Sequence, residues 1–414
     1  MRFLWVCNIE LPVISDLLGH KRVSIGGWLD TFSRTIISNE NDKLMVVYPN
    51  ITTYNGFDKN LFYSSFNPKT DLMDYFSNIL KTYKPDIIHL WGTEFKFTHS
   101  FTEAIKLANL LNFTVISIQG LISKISQHYF SSLPFKVTKP YSFKDRLRNK
   151  SLQSEKMSFE NRGKFEVLAL KNSLNVIGRT DWDKAVVSQI NPTIKYHSCN
   201  EVMRRSFYLN KWDIKNINKF TIFFPQWSYP YKGFHILIEA FSVVSKKFPD
   251  AIIITTGNNF LIKPFYKLTS YEKYLKEIIF FYKLENRIYF LGNLSEYEMM
   301  NNLLKCNIFV LPSFIENSSN SLAEAMLLGV PIIASYVGGT PTFINHGKEG
   351  YLYPANEPYI LADLITKLFL SPKTQELFSK NAINKASKLF DENYNFSNLL
   401  SIYNKIIYRN KVDQ

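Results

Sequence analysis

The chain has 414 residues, 46% of them hydrophobic, which is enough for two domains with a sizeable core each. Its 49 Lys and Arg against 35 Asp and Glu give a net charge of +14, which keeps nucleic acid, anionic membranes and acidic substrates open as partners. No run approaches the ~18 apolar residues of a membrane span, and neither a signal-peptide core nor a metal-ligand spacing among Cys7, Cys199 and Cys306 is present. These features point to a protein of a reducing cytoplasm.

Residues 1 to about 205 alternate short apolar runs with amphipathic stretches, as parallel α/β units do. Strands are expected at Phe3–Val6, Leu44–Tyr48, Ile87–Leu90, Thr114–Ile118 and Val176–Ile177. Each stops where polar or glycine residues begin, and ligands meet a parallel sheet at such ends. Gly26 and Gly27 precede the helical stripe Trp28, Leu29, Phe32 and Ile36. They either let backbone approach a ligand or form a plain turn. Glu94 follows the third strand on an apparent loop beside Gly92, and Gln119-Gly120 follows the fourth. After the fifth comes Gly178-Arg-Thr-Asp-Trp-Asp183. It reads equally as a helix cap led by Thr180 or Asp181 and as a loop in which Arg179 meets an anionic acceptor.

Between Pro134 and Phe165 stand nine Lys or Arg and three acids. The choices are a solvated surface, anionic lipid or a lipid-diphosphate acceptor. No helix-turn-helix, zinc-finger or RNA-recognition signature accompanies this charge, so nucleic acid is not expected as a partner.

A polar stretch from Asn210 to Lys219 reads as a linker, giving domains at 1–210 and 211–392 with a final helix from about 393 to 414. The second domain restarts with the apolar run Phe220–Phe224, then Lys232-Gly233 and a helix carrying Ile236, Leu237, Ala240 and Phe241. Further strands fit Ala251–Thr255 and Ile288–Leu291, the latter followed by Gly292-Asn293.

The stretch from Val310 to Pro354 carries the most information. It reads as strand, polar loop, short helix, strand and glycine-rich turn. Asn317, Ser318, Ser319, Asn320, Ser321 and Leu322 open the helix, where unpaired N–H groups and the helix dipole suit a phosphate. Glu316 and Glu324 flank that opening, and carboxylates accept from sugar hydroxyls. Ser321-Leu-Ala-Glu324 also fits a capping box, so Glu324 has two readings.

With Gly329, Pro331, Gly-Gly-Thr-Pro at 338–341, Gly347 and Gly350, this stretch resembles the E-x7-E region of retaining glycosyltransferase family 4. The resemblance implies an α/β GT-B fold of two Rossmann-like domains whose parallel sheets face a central cleft. In it Glu316 contacts the donor sugar, Glu324 the ribose and the N–H groups from Asn317 to Leu322 the diphosphate. Lys232, with Gly233, matches the family's diphosphate lysine; Asn293 borders the base, and Gly26-Gly27 match a loop after the first strand. Gln119 stands where the family often has histidine, which keeps a sugar contact and removes proton transfer. Gln226 stands where an arginine is usual. Glu94 and Arg179 are candidate acceptor contacts. The implied reaction moves a sugar from a nucleotide-diphosphate sugar to a hydroxyl of a glycan or lipid-linked acceptor, with retention and without cofactor or metal. Its setting would be bacterial surface-polysaccharide synthesis in the cytoplasm, with 134–165 as a contact to the membrane's inner face. A phosphorylase, an epimerase and a non-catalytic sugar-binding protein are the alternatives.

Overall fold

The structure, a computed structural model, describes residues 1–21, 27–139 and 151–412. Gly26 and the basic cluster between 140 and 150 lie outside the described residues. The chain divides into two compact units, each built on one twisted sheet.

The first unit comprises Met1–Ser123, Asn161–Val202 and Phe390–Gln414. Its strands are β1 (Arg2–Val6), β2 (Lys43–Pro49), β3 (Asn55–Asp58), β4 (Leu61–Phe66), β5 (Ile87–Trp91), β6 (Thr114–Ser117), β7 (Asn175–Gly178) and β8 (Lys195–Ser198). They lie in the order β3-β4-β2-β1-β5-β6-β7-β8, and only β3, antiparallel to β4, breaks the parallel run. β5 and β6 are buried throughout, as strands covered by helices on both faces must be. The core fills with Phe66, Phe76, Phe97 and Phe101; the rings of Phe76, on the helix Met73–Tyr83, and Phe101, on the helix Lys96–Leu107, meet edge to face at 4.2 Å. His89 is buried in β5 without strain on its polarity, because Tyr403 Oη lies 2.6 Å from Nδ1 and Ser117 Oγ 2.7 Å from Nε2.

The second unit comprises Lys124–Glu160 and Met203–Leu389. Its six strands are β9 (Thr221–Phe224), β10 (Ile252–Thr255), β11 (Ile288–Phe290), β12 (Ile308–Leu311), β13 (Ile332–Ser335) and β14 (Gly350–Tyr353). All are parallel, in the order β11-β10-β9-β12-β13-β14. The sequence reading gave 1–210 to the first domain, whereas Lys124–Glu160 belongs to the second unit. Aromatic packing explains this: Tyr129 and Phe159 are buried against Tyr231, with ring centroids 6.0 and 6.1 Å away. Phe390–Gln414 belongs to the first unit, where Tyr403 is fully buried. Among the described residues no helix is long and apolar enough to cross a membrane.

Both sheets reverse direction of winding at one place, between β1 and β5 in the first and between β9 and β12 in the second. At such a reversal the helices that follow the two neighbouring strands fall on opposite faces, and a crevice opens at the strands' carboxyl ends. The sequence candidates cluster at these two points.

Candidate functional site

In the second unit, β9 ends at Phe224 and β12 at Leu311, and a cavity of about 280 Å³ opens between their carboxyl ends. Lys232, Gln226, Asn293 and Ser321 line it. Lys232 sits in a short turn that Gly233 closes at φ +77°. A Cβ on Gly233 would come within 2.0 Å of the Pro312 carbonyl oxygen, so only glycine lets the β9 and β12 loops touch here. The Phe314 N–H donates to the Tyr231 carbonyl at 2.8 Å and completes that junction. It brings Lys232 Nζ to 2.7 Å from Glu316 Oε1, which also accepts from Ser313 Oγ at 2.7 Å.

Glu316 is held from its other side. The Gly339 N–H donates to its carbonyl at 2.9 Å, and a Cβ on Gly338 would lie 2.0 Å from that same oxygen. The glycine-rich turn therefore serves the site by packing against its backbone. The helix Asn320–Leu328 starts two residues earlier than a Ser321 cap requires: Ser319 is the N-cap, accepting from the Leu322 N–H at 3.4 Å. The capping box at Ser321 is not formed. Glu324 pairs instead with Arg204, whose Nε and Nη2 lie 2.8 and 2.7 Å from Oε1. Burial pushes the Glu324 carboxyl up to about 7, with Arg204 opposing the shift.

Two of the expected donor contacts need correction. The Gly233 position is filled by Pro312, so glycine there sets loop geometry and leaves no face for a ligand. Leu322 is buried in the core, and its N–H is taken by Ser319. Asn317 is buried as well, while Ser318, Ser319, Asn320 and Ser321 are partly exposed at the helix start. Sequence reasoning missed Arg204 and Trp227. The indole N–H of Trp227 is buried with no hydrogen-bond partner among the described residues, and it lines the cavity. Its place, one residue after Gln226 in the β9 loop, was the available signal. Arg204 carried none, because 120 residues separate it from Glu324.

In the first unit, Asn8 just past β1 donates through Nδ2 to Gln119 Oε1 past β6, at 3.2 Å. Gly92 lies between the strands at φ +104°, and a Cβ there would meet Gln119 Oε1 at 3.4 Å and Glu94 Oε2 at 3.5 Å. Gln119 and Glu94 thus stand together at the β1/β5 reversal. Gln119 Nε2 is buried without a partner among the described residues, an amide donor with capacity to spare. Burial raises the Glu94 carboxyl, opposed by Arg162 at 3.8 Å. Glu166, which sequence reasoning also missed, ties the loops: it accepts from the N–H groups of Ile122 and Ser123 at 2.9 and 3.0 Å and from Thr93 Oγ1 at 3.1 Å.

Arg179 does not join this group. Its guanidinium is buried, pairs with Glu201 at 2.8 Å and donates to the carbonyls of Ile118 and Gln119. The neighbouring segment is a helix cap: Thr180 and Asp183 form a reciprocal capping box. The arginine expected to meet an acceptor is a brace that fixes the Gln119 loop. Gly27 begins the helix Gly27–Ile37.

Comparison with known proteins follows this geometry. Residues 209–385 match the family profile described as Glycosyl transferases group 1, which covers most of the second unit. The D-inositol 3-phosphate glycosyltransferase of Corynebacterium glutamicum is 28% identical over 187 residues, 44% of this chain and 43% of that protein. The match thus spans less than half the length of that relative. Anabaena Alr3699/HepE, solved in complex with UDP, superposes with a TM-score of 0.67 at 18% identity, covering 98% of this chain and 100% of that one. WaaG, a glycosyltransferase involved in lipopolysaccharide biosynthesis, superposes with a TM-score of 0.60 at 13% identity over 98% and 99%. The second unit is similar in sequence to group 1 glycosyl transferases, and the chain as a whole has the GT-B fold.

Proposed function

We propose that this protein transfers a sugar, with retention, from a nucleotide-diphosphate sugar to an acceptor hydroxyl. The observation that carries the reading is the juxtaposition of Lys232, Glu316 and the start of helix Asn320–Leu328 at the β9/β12 reversal. Lys232 and the helix N-terminus supply positive potential where a leaving diphosphate gains charge. Glu316, freed from Lys232 when the diphosphate takes that cation, accepts from the hydroxyls of the transferred sugar. Glu324 accepts from the ribose, and Trp227 with Asn293 borders the base. In the first unit, Gln119 offers an amide and Glu94 a carboxyl to sugar hydroxyls.

Among the described residues no side chain near Glu316 is placed as a nucleophile, and the scheme is a front-side displacement in which the leaving phosphate takes the acceptor's proton. Cationic groups of the chain, with no metal, balance the diphosphate in this scheme. The bound UDP of HepE makes a uridine-diphosphate sugar the first donor to test, and the lipopolysaccharide role of WaaG favours a surface-glycan acceptor.

A thermal-shift panel of UDP, GDP and ADP with their common sugars tests the donor site, with and without EDTA. A ligand at 100 times its dissociation constant stabilises by about 2.7 kcal/mol. One nucleotide should produce that shift in wild type, retain it in EDTA, and lose it in Lys232→Ala. No shift with any nucleotide would sink the donor-site assignment. Release of sugar phosphate or an epimerised nucleotide sugar without an acceptor would replace transfer by another activity. Proton spectra of a transferred product should show the donor's anomeric configuration.

A further inference from the structure

An exposed aromatic strip lies outside the donor cavity, on the second unit. Ile262, Phe265 and Tyr266 are 81%, 62% and 78% exposed on the loop before the helix Ser270–Phe281, and Phe280 and Phe281 are 51% and 77% exposed at its end. Five large apolar side chains within twenty residues are far from the scattered single exposures of an ordinary surface. The inner face of the same helix, at Tyr271, Tyr274, Leu275 and Ile279, is buried, so the helix is anchored and the strip is its outer side.

Lysines are threaded through the strip. Lys273 Nζ lies 4.9 Å from the Phe265 ring centroid, Lys267 Nζ 5.9 Å from that of Tyr266, and Lys276 Nζ 5.9 Å from that of Phe280. Positions 273, 276 and 280 recur at helical spacing on one face. The Lys276 ammonium also donates to the Leu261 carbonyl at 2.8 Å, which ties the loop to that face. Between 261 and 283 stand five lysines and two glutamates, and one glutamate, Glu272, is already paired with Lys263 at 2.6 Å. The strip is thus apolar at its tips and cationic along its base.

We propose that this strip is a docking surface for an anionic lipid bilayer. Aromatic rings settle at the headgroup level of a bilayer, and lysines beside them are drawn by anionic headgroups. A protein partner would favour an apolar centre with charge at the rim, whereas here Phe265, Tyr266 and Phe280 each carry a cation of their own. The basic stretch 134–165 suggested such a contact from charge alone. The structure adds the helix Phe135–Thr138, which packs near the helix Ser270–Phe281 and carries Phe135, 72% exposed, with Lys139 Nζ 4.5 Å from its ring centroid. The proposal goes beyond glycosyl transfer and does not rest on it.

Sedimentation with vesicles tests it without any nucleotide. Wild type should pellet with phosphatidylcholine vesicles holding about one-third phosphatidylglycerol, at low salt, and remain in the supernatant with phosphatidylcholine alone. Phe265→Ser with Tyr266→Ser and Phe281→Ser should lower partitioning at least tenfold, roughly the apolar transfer of a single buried ring. Lys267→Glu with Lys273→Glu should remove the preference for anionic vesicles, since each lysine contributes roughly fivefold. Lys273 is partly buried and the other four side chains are exposed, so unchanged melting temperatures certify the variants as folded. A wild type that ignores anionic vesicles, or variants that pellet as wild type does, would overturn the proposal. So would a wild type that elutes as a dimer and variants that elute as monomers without any vesicle binding, which would give the strip to a second copy of the chain.

Discussion

The two winding reversals use the same sheet geometry for different ends. The one between β9 and β12 gathers charge: Lys232 meets Glu316 at 2.7 Å, and a helix begins beside them. The one between β1 and β5 gathers an amide and a carboxyl whose charge burial opposes, Gln119 and Glu94, and stabilises them through Glu166 beneath. The first arrangement suits a ligand with strong charge of its own. The second suits neutral hydroxyls, which hydrogen-bond to an amide without demanding a counter-ion. Polarity, and not topology, separates the two sites.

The contrast can be broken most severely through glycine. Gly233→Ala forces a left-handed residue and drives Cβ into the Pro312 carbonyl, a backbone atom that cannot swing away. A loss of about 3 kcal/mol is expected from strain of this kind, measurable by urea unfolding, with loss of nucleotide-induced stabilisation. Gly92→Ala shares the positive φ but meets only side-chain atoms of Gln119, Glu94 and Phe95, none nearer than 3.4 Å. It should cost about 1–2 kcal/mol and leave nucleotide binding in place. If the two variants were equally destabilised, the difference in local packing would be wrong.

Glu166→Ala comes next. It strands the N–H groups of Ile122 and Ser123 and the Thr93 hydroxyl in a buried place, and about 2–3 kcal/mol should be lost. Transfer should fall while the nucleotide-induced thermal shift survives. A nucleotide response abolished along with transfer would contradict the separation.

The two buried carboxyls also sharpen the comparison through pH. Glu166 and Glu324 are each pushed up from 4.5 to about 7, burial being the main cause in both. Because the folded chain holds these protons more tightly than the unfolded chain, their stability contribution is complete below 4.5 and is lost as pH rises through about 7. Nucleotide affinity should move in the opposite direction, since the Glu324 carboxylate accepts from a ribose better than the acid does. Titration calorimetry should show affinity rising through pH 7, and Arg204→Gln should move that rise to higher pH. A pH-independent affinity would remove Glu324 from the ribose site. The smallest effect expected is a gain: Gln226→Arg, at the cavity wall, should tighten nucleotide-diphosphate binding about fivefold through one added cation.

The fold class was legible in the chain because central parallel strands are continuous apolar runs. Phe220–Phe224 and Ile308–Leu311 could be little else. The edge strands were not: β8 reads Lys-Tyr-His-Ser, β3 Asn-Gly-Phe-Asp, and the Gly-Tyr-Leu-Tyr of β14 looked like a turn. Of the second-unit cluster, Glu316, Lys232 and the helix start were legible because local order fixes them. Glu324's partner was hidden, since a distant arginine displaces the local capping pattern. Arg179 misled for the converse reason. A charged residue in a loop looks available, and only the fold reveals that Glu201 and two carbonyls already satisfy it.

The segmented composition of the two units bears on synthesis at the ribosome. The second unit has all its parts once Leu389 has emerged, whereas the first still lacks Phe390–Gln414. Until then His89 has Ser117 at Nε2 but no Tyr403 to cover Nδ1, and a buried ring nitrogen left unpaired opposes closure of that core. The second unit is therefore expected to mature first, in reverse of the usual N-terminal lead. A released chain truncated after Leu389 should resist protease in its second unit and yield in its first.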